Sequence, residues 1–595
     1  MAEPIRIANC SGFYGDRLSA AREMVEGGPI DVLTGDYLAE LTMLILFRSK
    51  LKDPNRGYAS TFLKQCEQIL GTCLDRNIKI VVNAGGLNPS GCAEAVRELA
   101  AKLGLSAKVA HIEGDDLMPR LPDLQAAGHD LRNLDTGQTL NEAGVQPVSA
   151  NAYLGGFGIA KALDLGADVV VTGRVTDAAL VVGPGIWRHG WSAEDLDALA
   201  GAVVAGHIIE CGAQATGGNY PFFTQIEGLE HPGFPLVELA GDGSCVVTKH
   251  EGTGGEVSVG TVTAQLLYEI AGPRYANPDV IARFDTIRLA QLAPNRVGVT
   301  SVRGEPAPPD AKVCINYLGG FRNRMELVLT GLDIDAKAAL VERSIFDKLG
   351  GHEAFRSADV RLVRSDKSDA ARNDQAVALL RIDVKDHDPN KVGRAFSGAV
   401  TEMALASYPG FTMTAPPGDG TPYGVYWPCL VPKSEIHEEV VFEGERSAID
   451  QVPGQPAPEE AKRSEDRLDE LAAAGKRVAE LADGPTEPHP LGTFVGARSG
   501  DKGGNANCGF WVDSSERYEW MRHTLTIERI RELMGGEADD LTIERFEFPN
   551  LFALNFVFHG LLGEGVSSSS RPDPQAKGLG EYLRSRVVEI PKALL

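Results

Sequence analysis

Carboxylate and amide side chains recur in short turns over the N-terminal third of this chain, and each turn follows a short apolar stretch. In chain order the polar residues of these turns are Asp16, Asp36, Asn83, Asn88, Asp115, Asp116, Arg174 and Asp177. If the turns come together, their carboxylates could act as general acid and base beside a carbonyl group. The oxygens of Asp16, Asp36 and Asp177 could equally hold a hard cation such as Mg²⁺.

Each of these side chains also has an ordinary structural explanation. An Asp at the start of a helix stabilises that helix by about 0.5–1 kcal/mol and needs no catalytic role. Helix capping therefore stays open as the alternative for Asp16, Asp36, Asp115 and Asp177.

The turn after the third strand, Asn83–Pro89, reads NAGGLNP. The side chain of Asn83 and the backbone of Gly85 and Gly86 could donate hydrogen bonds to an enolate oxygen, with Asn88 beside them. Two glycines followed by Asn-Pro also form an ordinary tight turn. The sequence predicts a substrate cradle here and leaves the simple turn as its alternative.

The elements around these turns follow one pattern of strand, turn and helix. The run Asp168–Thr172 (DVVVT) is rich in β-branched residues, as in strands covered on both faces. Alternating strands and helices predict a parallel sheet of the α/β class, and we favour an open, Rossmann-like sheet over a closed barrel. Because the carboxyl ends of parallel strands share one edge, the turns are predicted to form a single site.

Two glycine-rich loops follow this region, Cys211–Asn219 and Glu251–Gly255. Glycine lets backbone N–H groups approach an anion closely, so we predict that Asn219, Lys249 and Thr253 contact the substrate. Neither loop matches a Walker A or GxGxxG pattern, which disfavours a nucleotide or nicotinamide site.

The C-terminal loop Arg498–Asn507 reads RSGDKGGNAN and is predicted to bind an anionic group through Arg498, Ser499, Asp501 and Lys502. An acidic protein needs such a local concentration of cations to hold a carboxylate, a phosphate or coenzyme A. A charged hairpin loop is the alternative. Ser499 lacks a G-x-S-x-G elbow, which disfavours acyl-enzyme chemistry.

Composition divides the chain into four regions. Residues 1–279 are predicted to be the α/β domain with the active site, and residues 280–443 an α+β extension of it. Residues 444–490 are rich in Pro, Ala and charge and predict a linker. Residues 491–595 predict a ferredoxin-like α+β domain.

The net charge of −24 disfavours nucleic-acid and membrane partners, because anionic surfaces repel such a chain. The nine cysteines include no CxxC pair and no zinc-finger spacing. No leader or membrane-spanning run is recognisable in the sequence, so we expect a cytoplasmic protein acting on a small anionic substrate.

Seven motifs resemble those of the acyclic terpene utilisation (AtuA) family. They are NCSGFYGD from Asn9, TGDYLAE from Thr34, NAGGLNP from Asn83, TGRVTDA from Thr172, CGAQATGGN from Cys211, KHEGTGG from Lys249 and RSGDKGGNAN from Arg498. The resemblance covers the chain except the linker. It implies catabolism of branched or acyclic isoprenoid acids as coenzyme A thioesters, and a large N-terminal domain followed by a ferredoxin-like tail.

Together these observations predict an enzyme of acyclic terpene or branched-chain acyl-CoA catabolism, with lyase or hydratase chemistry. Asp36, Asp177, Asp115 and Asn83 are the predicted catalytic residues, and Arg174 is predicted to bind the substrate's anionic end. The alternative is a non-catalytic ligand-binding or assembly subunit of an acyl-CoA-processing complex. A homo-oligomer built through the C-terminal domain is also expected.

Overall fold

The computed structural model describes residues 3–456, 467–481 and 484–595. The chain divides into two compact units. The first comprises Met1–Asn316, Tyr426–Val566 and Gln575–Leu595, and the second comprises Tyr317–Val425 and Ser567–Pro574. Within the described residues, every helix is too short or too polar to cross a bilayer.

The N-terminal region alternates strands and helices. Its strands are β1 Ile5–Asn9, β2 Val32–Gly35, β3 Lys79–Val82, β4 Val109–Glu113, β5 Pro147–Ala152, β6 Val169–Thr172, β7 Pro235–Leu239, β8 Cys245–Lys249, β9 Arg274–Ala276, β10 Ile281–Arg283, β11 Arg288–Ala293, β12 Arg296–Thr300 and β13 Arg303–Glu305. Its helices are α1 Ala20–Gly27, α2 Glu40–Lys52, α3 Ser60–Asp75, α4 Pro89–Lys102, α5 Leu121–Ala126, α6 Leu140–Ala143, α7 Phe157–Asp164, α8 Ala179–His189, α9 Leu196–Ile209 and α10 Val259–Leu266.

The rest of the chain is richer in strands. The strands are β14 Asp310–Thr330, β15 Ser357–Val363, β16 Val377–Asp386, β17 Thr412–Met413, β18 Thr421–Pro432, β19 Glu438–Phe442, β20 Glu445–Ile449, β21 Thr486–Pro490, β22 Gly496–Lys502, β23 Asn505–Trp511, β24 Thr542–Phe548, β25 Ala553–His559 and β26 Val587–Pro591. The helices are α11 Ile334–Leu349, α12 Phe396–Thr401, α13 Leu468–Leu481, α14 Ser515–Thr524, α15 Ile527–Met534 and α16 Leu579–Ser585.

The large sheet of the first unit is open, with the strand order β11-β12-β8-β7-β1-β2-β3-β6-β4-β19-β20. The neighbours β1, β2, β3, β6 and β4 run parallel. On either side of them the strands are antiparallel. The sheet is therefore a mixed α/β sheet with a parallel centre, and the order of its strands differs from a simple Rossmann arrangement.

The parallel strands are short and largely buried, as their apolar composition predicts. All residues of β2, β3 and β6 are buried, and helices α1, α3 and α4 pack against one face through apolar side chains such as Phe62, Ile69 and Val96. With both faces covered, the polar residues that follow each strand are confined to the sheet edge.

The region 444–490, predicted as a linker, contributes strands to two sheets. β20 pairs with β19 through a hairpin whose turn residues Glu443 and Gly444 have positive φ, and β21 pairs with β26. The pairing of β21 could not be predicted from the Pro-rich composition of this region, because its partner strand β26 lies about a hundred residues further along the chain. The charged, Ala-rich stretch 459–481 also predicts a helix. Part of this stretch lies outside the described residues, and α13 begins at Leu468.

In the second unit, β14, β15, β16 and β17 form an antiparallel sheet that packs on α11 and α12. The sequence predicts a turn at Gly319–Arg324. The structure instead continues β14 through these residues, because Phe321–Thr330 pair with β16 over their whole length.

The C-terminal sheet has the order β22-β23-β25-β24, with every neighbour antiparallel. Its core includes Phe510, Phe556 and Leu583, all fully buried. The segment Arg498–Asn507, predicted as a loop, is a β-hairpin: β22 and β23 run through it, and Gly503 and Gly504 form the turn.

Candidate active site

Asp36 and Asn83 meet at the carboxyl ends of the adjacent parallel strands β2 and β3. The Asn83 Nδ2 group donates to Asp36 Oδ1 at 2.5 Å, and Asn83 Oδ1 accepts a hydrogen bond from the Tyr37 amide at 2.7 Å. Both side chains are buried. The amide of Asn83 therefore orients the carboxyl group of Asp36.

The pKa of Asp36 is raised well above its ordinary value. Burial is the main cause, and the nearby Asp177 carboxylate adds to it, whereas Arg174 and the hydrogen bond from Asn83 act in the opposite direction. Asp36 Oδ1 also accepts from the Leu38 amide, while Oδ2 accepts no hydrogen bond from the described residues. Asp36 is thus a carboxyl group that retains its proton at higher pH than usual and leaves one oxygen available.

Arg174 and Asp177 form an ion pair in the turn after β6. Arg174 Nη1 lies 2.6 Å from Asp177 Oδ1, and the guanidinium stacks on the Tyr153 ring at 4.3 Å from its centroid. Burial lowers the pKa of Arg174, but Asp177, Tyr153 and Asp36 together raise it by more, so the pKa of Arg174 lies above its ordinary value. Asp177 remains one-third exposed and is the more accessible member of the pair.

Asp115 holds this turn in place from the end of β4. Its Oδ2 accepts from the Arg174 amide and from Asn151 Nδ2, both at 2.8 Å. Burial raises the pKa of Asp115 to about 7. A methyl group at Gly173 would lie 2.4 Å from Asp115 Oδ1, which explains the glycine there. Asp115, predicted to be catalytic, thus holds the backbone of the Arg174 turn in the structure.

The structure adds His207 and Glu210, which sequence reasoning missed. His207 Nδ1 lies 3.1 Å from Glu210 Oε1, while His207 Nε2 and Glu210 Oε2 are buried without a partner among the described residues. Burial, and then the charge of Asp177, raise the pKa of Glu210 well above its ordinary value. Burial lowers the pKa of His207 to about 4.

His207 and Glu210 reach the sheet edge because α9 ends there. Asn9, the last residue of β1, donates to the carbonyls of Ile209 and Glu210 and so fixes the end of α9. The only sequence signal for the pair is a His and a Glu at the end of an otherwise almost wholly apolar helix. Next to them, burial raises the pKa of the Cys211 thiol well above its ordinary value, which disfavours Cys211 as a nucleophile.

Asp16, Asn88 and the two glycines after Asn83 serve the local backbone. Asp16 accepts from the amides of Gly12 and Arg17, and Asn88 caps α4 by accepting from the Gly91 amide. The Gly85 amide donates to the Thr172 carbonyl and the Gly86 amide to the Asn83 carbonyl. The cradle predicted from Gly85, Gly86 and Asn88 is a tight turn here, because its donors are already used.

The glycine loop after β8 also closes on itself. Lys249 Nζ donates to both the carbonyl and the hydroxyl oxygen of Thr253, and the Thr253 hydroxyl donates to the His250 carbonyl. Burial lowers the pKa of Lys249. In the structure Lys249 and Thr253 therefore bond to each other within the loop.

Arg498 and Lys502, on β22, face the N-terminal region of the same unit. Arg498 stacks on Tyr268 at 4.5 Å from the ring centroid, and its Nη1 lies 3.4 Å from the Asn219 carbonyl. Lys502 Nζ donates to the Glu269 carbonyl at 3.2 Å. Ser499 is occupied structurally: it donates to the Lys577 carbonyl and accepts from the Gly580 amide.

Lys577 is a further cation that the motifs did not indicate. Its Nζ lies 4.4 Å from the Tyr268 ring centroid, 3.5 Å from Glu269 Oε1 and 3.9 Å from Asp501 Oδ1. Glu269 and Lys577 both influence the pKa of Cys211, and Lys502 influences that of His207. The C-terminal cations and the sheet-edge carboxyls thus belong to one electrostatic neighbourhood.

Two buried asparagines bring the C-terminal sheet to this position. Asn507 accepts from the Glu269 amide and donates to the Leu267 carbonyl, and Asn555 donates to the carbonyls of Ile270 and Ala271. Asn507 Nδ2 also donates to Asn555 Oδ1. The motif Arg498–Asn507 therefore docks the C-terminal domain as well as supplying charge.

The three predicted magnesium ligands do not converge. Asp16 is engaged with backbone amides, and Asp177 is paired with Arg174. In the described ranges no three His, Cys, Asp or Glu side chains are arranged to hold a metal ion. The residues present do not fit Mg²⁺.

Comparison with protein families gives two matches. The model of the acyclic terpene utilisation family protein AtuA matches residues 5–442, and the model of the AtuA ferredoxin-like domain matches residues 489–589. Comparison with curated proteins and with solved structures gives no match. The family resemblance carried by the seven motifs is confirmed. The chain belongs to the acyclic terpene utilisation (AtuA) family and ends in an AtuA ferredoxin-like domain.

Proposed function

We propose that this protein is an enzyme of acyclic terpene or branched-chain acyl-CoA catabolism that moves a proton beside a carbonyl group, as lyases and hydratases do. Membership of the acyclic terpene utilisation family supports the pathway. The residues at the carboxyl edge of the parallel strands support the reaction type.

The observation that carries this proposal is the different surroundings of Asp36 and Asp177. Asp36 is buried, oriented by Asn83 and raised in pKa, whereas Asp177 is one-third exposed and paired with Arg174. Two carboxyl groups in such unlike environments can act as acid and base in the same reaction. In our proposal Asp177 accepts the proton from the carbon beside the carbonyl, and Asp36 donates to the oxygen.

The cations near β22 suit the anionic part of the substrate. Arg498 and Lys577 both lie against the Tyr268 ring. Arg498 is buried, and Lys577 Nζ lies 3.5 Å from Glu269 Oε1 and 3.9 Å from Asp501 Oδ1. A chain with a net charge of −24 needs such local cations to hold a coenzyme A thioester or a related carboxylate. Arg498 and Lys577 are therefore proposed to bind the substrate, with Arg174 nearer to the carbonyl.

The proposal is tested with purified protein and a panel of branched 3-hydroxyacyl-CoA and enoyl-CoA esters, with product formation followed by mass spectrometry. The same panel is run with and without Mg²⁺. Turnover of at least one branched ester supports the proposal. Absence of turnover across the panel under both conditions would count against it.

The alternative function, a non-catalytic ligand-binding or assembly subunit, predicts binding of the esters without turnover. Assembly as a homo-oligomer and a cytoplasmic location stay predictions from the sequence. The surface that carries Asn507 and Asn555 is used within the chain, so a second copy would have to use another face of the C-terminal domain. Multi-angle light scattering measures the subunit number directly.

A further inference from the structure

A cavity of about 610 Å³ lies where the C-terminal sheet meets the region around α10. Rings form much of its wall: Tyr220, Phe222, Phe494, Trp511 and Phe552. Tyr220 stacks on Trp511 with 6.2 Å between ring centroids. A volume of this size, with a wall of aromatic rings, is typical of cavities that bind a small organic ligand.

The charged groups of the cavity are already engaged with its wall. Arg517 forms an ion pair with Asp513 at 2.9 Å, donates to the Leu594 carbonyl and stacks on Phe494. Arg467 stacks on Phe552 at 4.4 Å from the ring centroid. Since these guanidinium groups cover ring faces and Asp513, the interior favours a hydrocarbon over a phosphate.

Helix α10 connects this cavity with the candidate active site. Val259, Gly260 and Thr263, in its first part, line the cavity. Near its other end, Gln265 Nε2 donates to the His207 carbonyl at 3.1 Å. Thr263 and Gln265 are only two residues apart on this helix, so α10 contributes to both places.

A second link runs through the loop before the cavity. Asn219, whose carbonyl accepts from Arg498, directly precedes Tyr220 of the cavity wall. Tyr220 of the aromatic wall is thus next in sequence to the residue that bonds Arg498, a cation proposed to bind the substrate.

We propose that this cavity binds the branched hydrocarbon chain of the acyl substrate. The inference rests on the proposed function, because it assigns the cavity to the ligand of that site. The thioester lies toward Asp36 and Asp177, and the chain extends past Tyr220 to Trp511. The cavity is then the part of the protein that selects substrates by chain length and branching.

The first measurement uses free carboxylates, so that it does not depend on turnover. Hexanoate, octanoate, decanoate and their methyl-branched analogues are titrated into the full-length protein by calorimetry, and Trp511 fluorescence is followed in parallel. Affinity is expected to rise about fourfold for each added methylene. The fluorescence change should disappear in Trp511→Phe.

A matched pair of variants locates the binding. Leu289 lines the cavity, whereas Leu292 of the same strand is 59% exposed and lies outside its lining. Leu289→Trp fills the space and should weaken decanoate binding at least tenfold, while Leu292→Trp should leave it unchanged. Circular dichroism shows whether both variants are folded. The Trp511 fluorescence change of the unaltered protein tests binding independently of either variant.

The proposal is overturned if no carboxylate binds, if affinity is independent of chain length, or if both leucine variants behave alike. It is also overturned if coenzyme A or adenosine monophosphate alone produces the Trp511 signal, because the cavity would then hold the nucleotide. None of these binding measurements requires turnover. Failure of catalysis and failure of this inference are therefore separate results.

Discussion

The two carboxyl groups at the candidate site differ through their neighbours. Asp36 is buried away from water, accepts a hydrogen bond from Asn83 and lies near the negative charge of Asp177. Asp177 keeps one-third of its surface exposed and a guanidinium 2.6 Å away. This contrast is the residue-level basis for assigning the acid to Asp36 and the base to Asp177.

Replacing Asp36 tests the proposed proton donor. Asp36→Asn keeps the size of the side chain and removes the transferable proton, so kcat should fall about 100-fold or more while KM changes little. Steady-state kinetics on the best ester of the panel measure both constants.

Asp116→Asn serves as the control for this substitution. Asp116 belongs to the same sheet edge but is exposed and accepts only from the Met118 amide among the described residues. Its kcat should stay within about twofold of the unaltered protein. Equal losses in the two variants would contradict a specific role for Asp36.

At the scale of elements, strand β19, which lies between β4 and β20, carries a buried carboxyl group of its own. Glu438 lies against Gly158 in the first turn of α7, and burial raises its pKa to about 8, with Asp279 and Asp115 adding to the shift. Gln451 Nε2 donates to Glu438 Oε2, while Oε1 is buried without a partner among the described residues. The folded protein therefore holds a proton that the unfolded chain releases near the ordinary pKa of Glu.

This shift predicts how stability depends on pH. A raised pKa contributes stability that is complete below the ordinary pKa of Glu and is lost as pH rises through about 8. In Glu438→Gln the loss of unfolding free energy between about pH 5 and about pH 8 should shrink by on the order of 3 kcal/mol. Urea unfolding at the two pH values measures it.

Asp115 and Asp279 provide the background for that measurement. Their pKa values are raised to about 7 and about 6, so part of the pH dependence should persist in Glu438→Gln. An unchanged pH dependence in the variant would show that Glu438 is ionised in the folded protein and would contradict the prediction.

The docking of the C-terminal sheet depends on Asn507. Asn507→Leu leaves the Glu269 amide and the Leu267 carbonyl without their partner in a buried place, which should cost about 2–4 kcal/mol of unfolding free energy. Denaturant unfolding gives the value. Asn505 lies on the same strand but bonds to Asp135 near the surface, so Asn505→Ala should cost less than about 1 kcal/mol. Similar costs in the two variants would contradict the proposed role of Asn507 in docking the C-terminal sheet.

The parallel centre of the sheet could be predicted from local sequence. Each of its strands is a short apolar run followed by a turn with Gly, Asp or Asn, and parallel strands bring those turns to one edge. This is why Asp36, Asn83, Arg174 and Asp177 were all found by sequence reasoning.

Features that depend on distant partners could not be predicted in the same way. β20 and β21 lie in a Pro-rich stretch, and β14 continues beyond a Gly-Gly pair because β16 pairs with it from Phe321 to Thr330. His207, Glu210 and Lys577 reach the site from a helix end and a C-terminal loop. Local patterns carry no information on these pairings.

At the scale of the whole molecule, this acidic chain places a few cations where the anionic substrate is proposed to bind. The net charge is −24, yet Arg174, Arg498, Lys502 and Lys577 share one electrostatic neighbourhood with the sheet-edge carboxyls. The C-terminal domain supplies three of these four cations. The AtuA ferredoxin-like domain is thus proposed to complete the site.

Proton exchange in deuterated water tests the central claim most directly. Purified protein is incubated with a branched acyl-CoA ester, and deuterium uptake at the carbon beside the carbonyl is followed by mass spectrometry. The account predicts uptake that is lost in Asp177→Asn and retained in Asp116→Asn. No uptake with any ester, or uptake as fast in Asp177→Asn as in the unaltered protein, would contradict it.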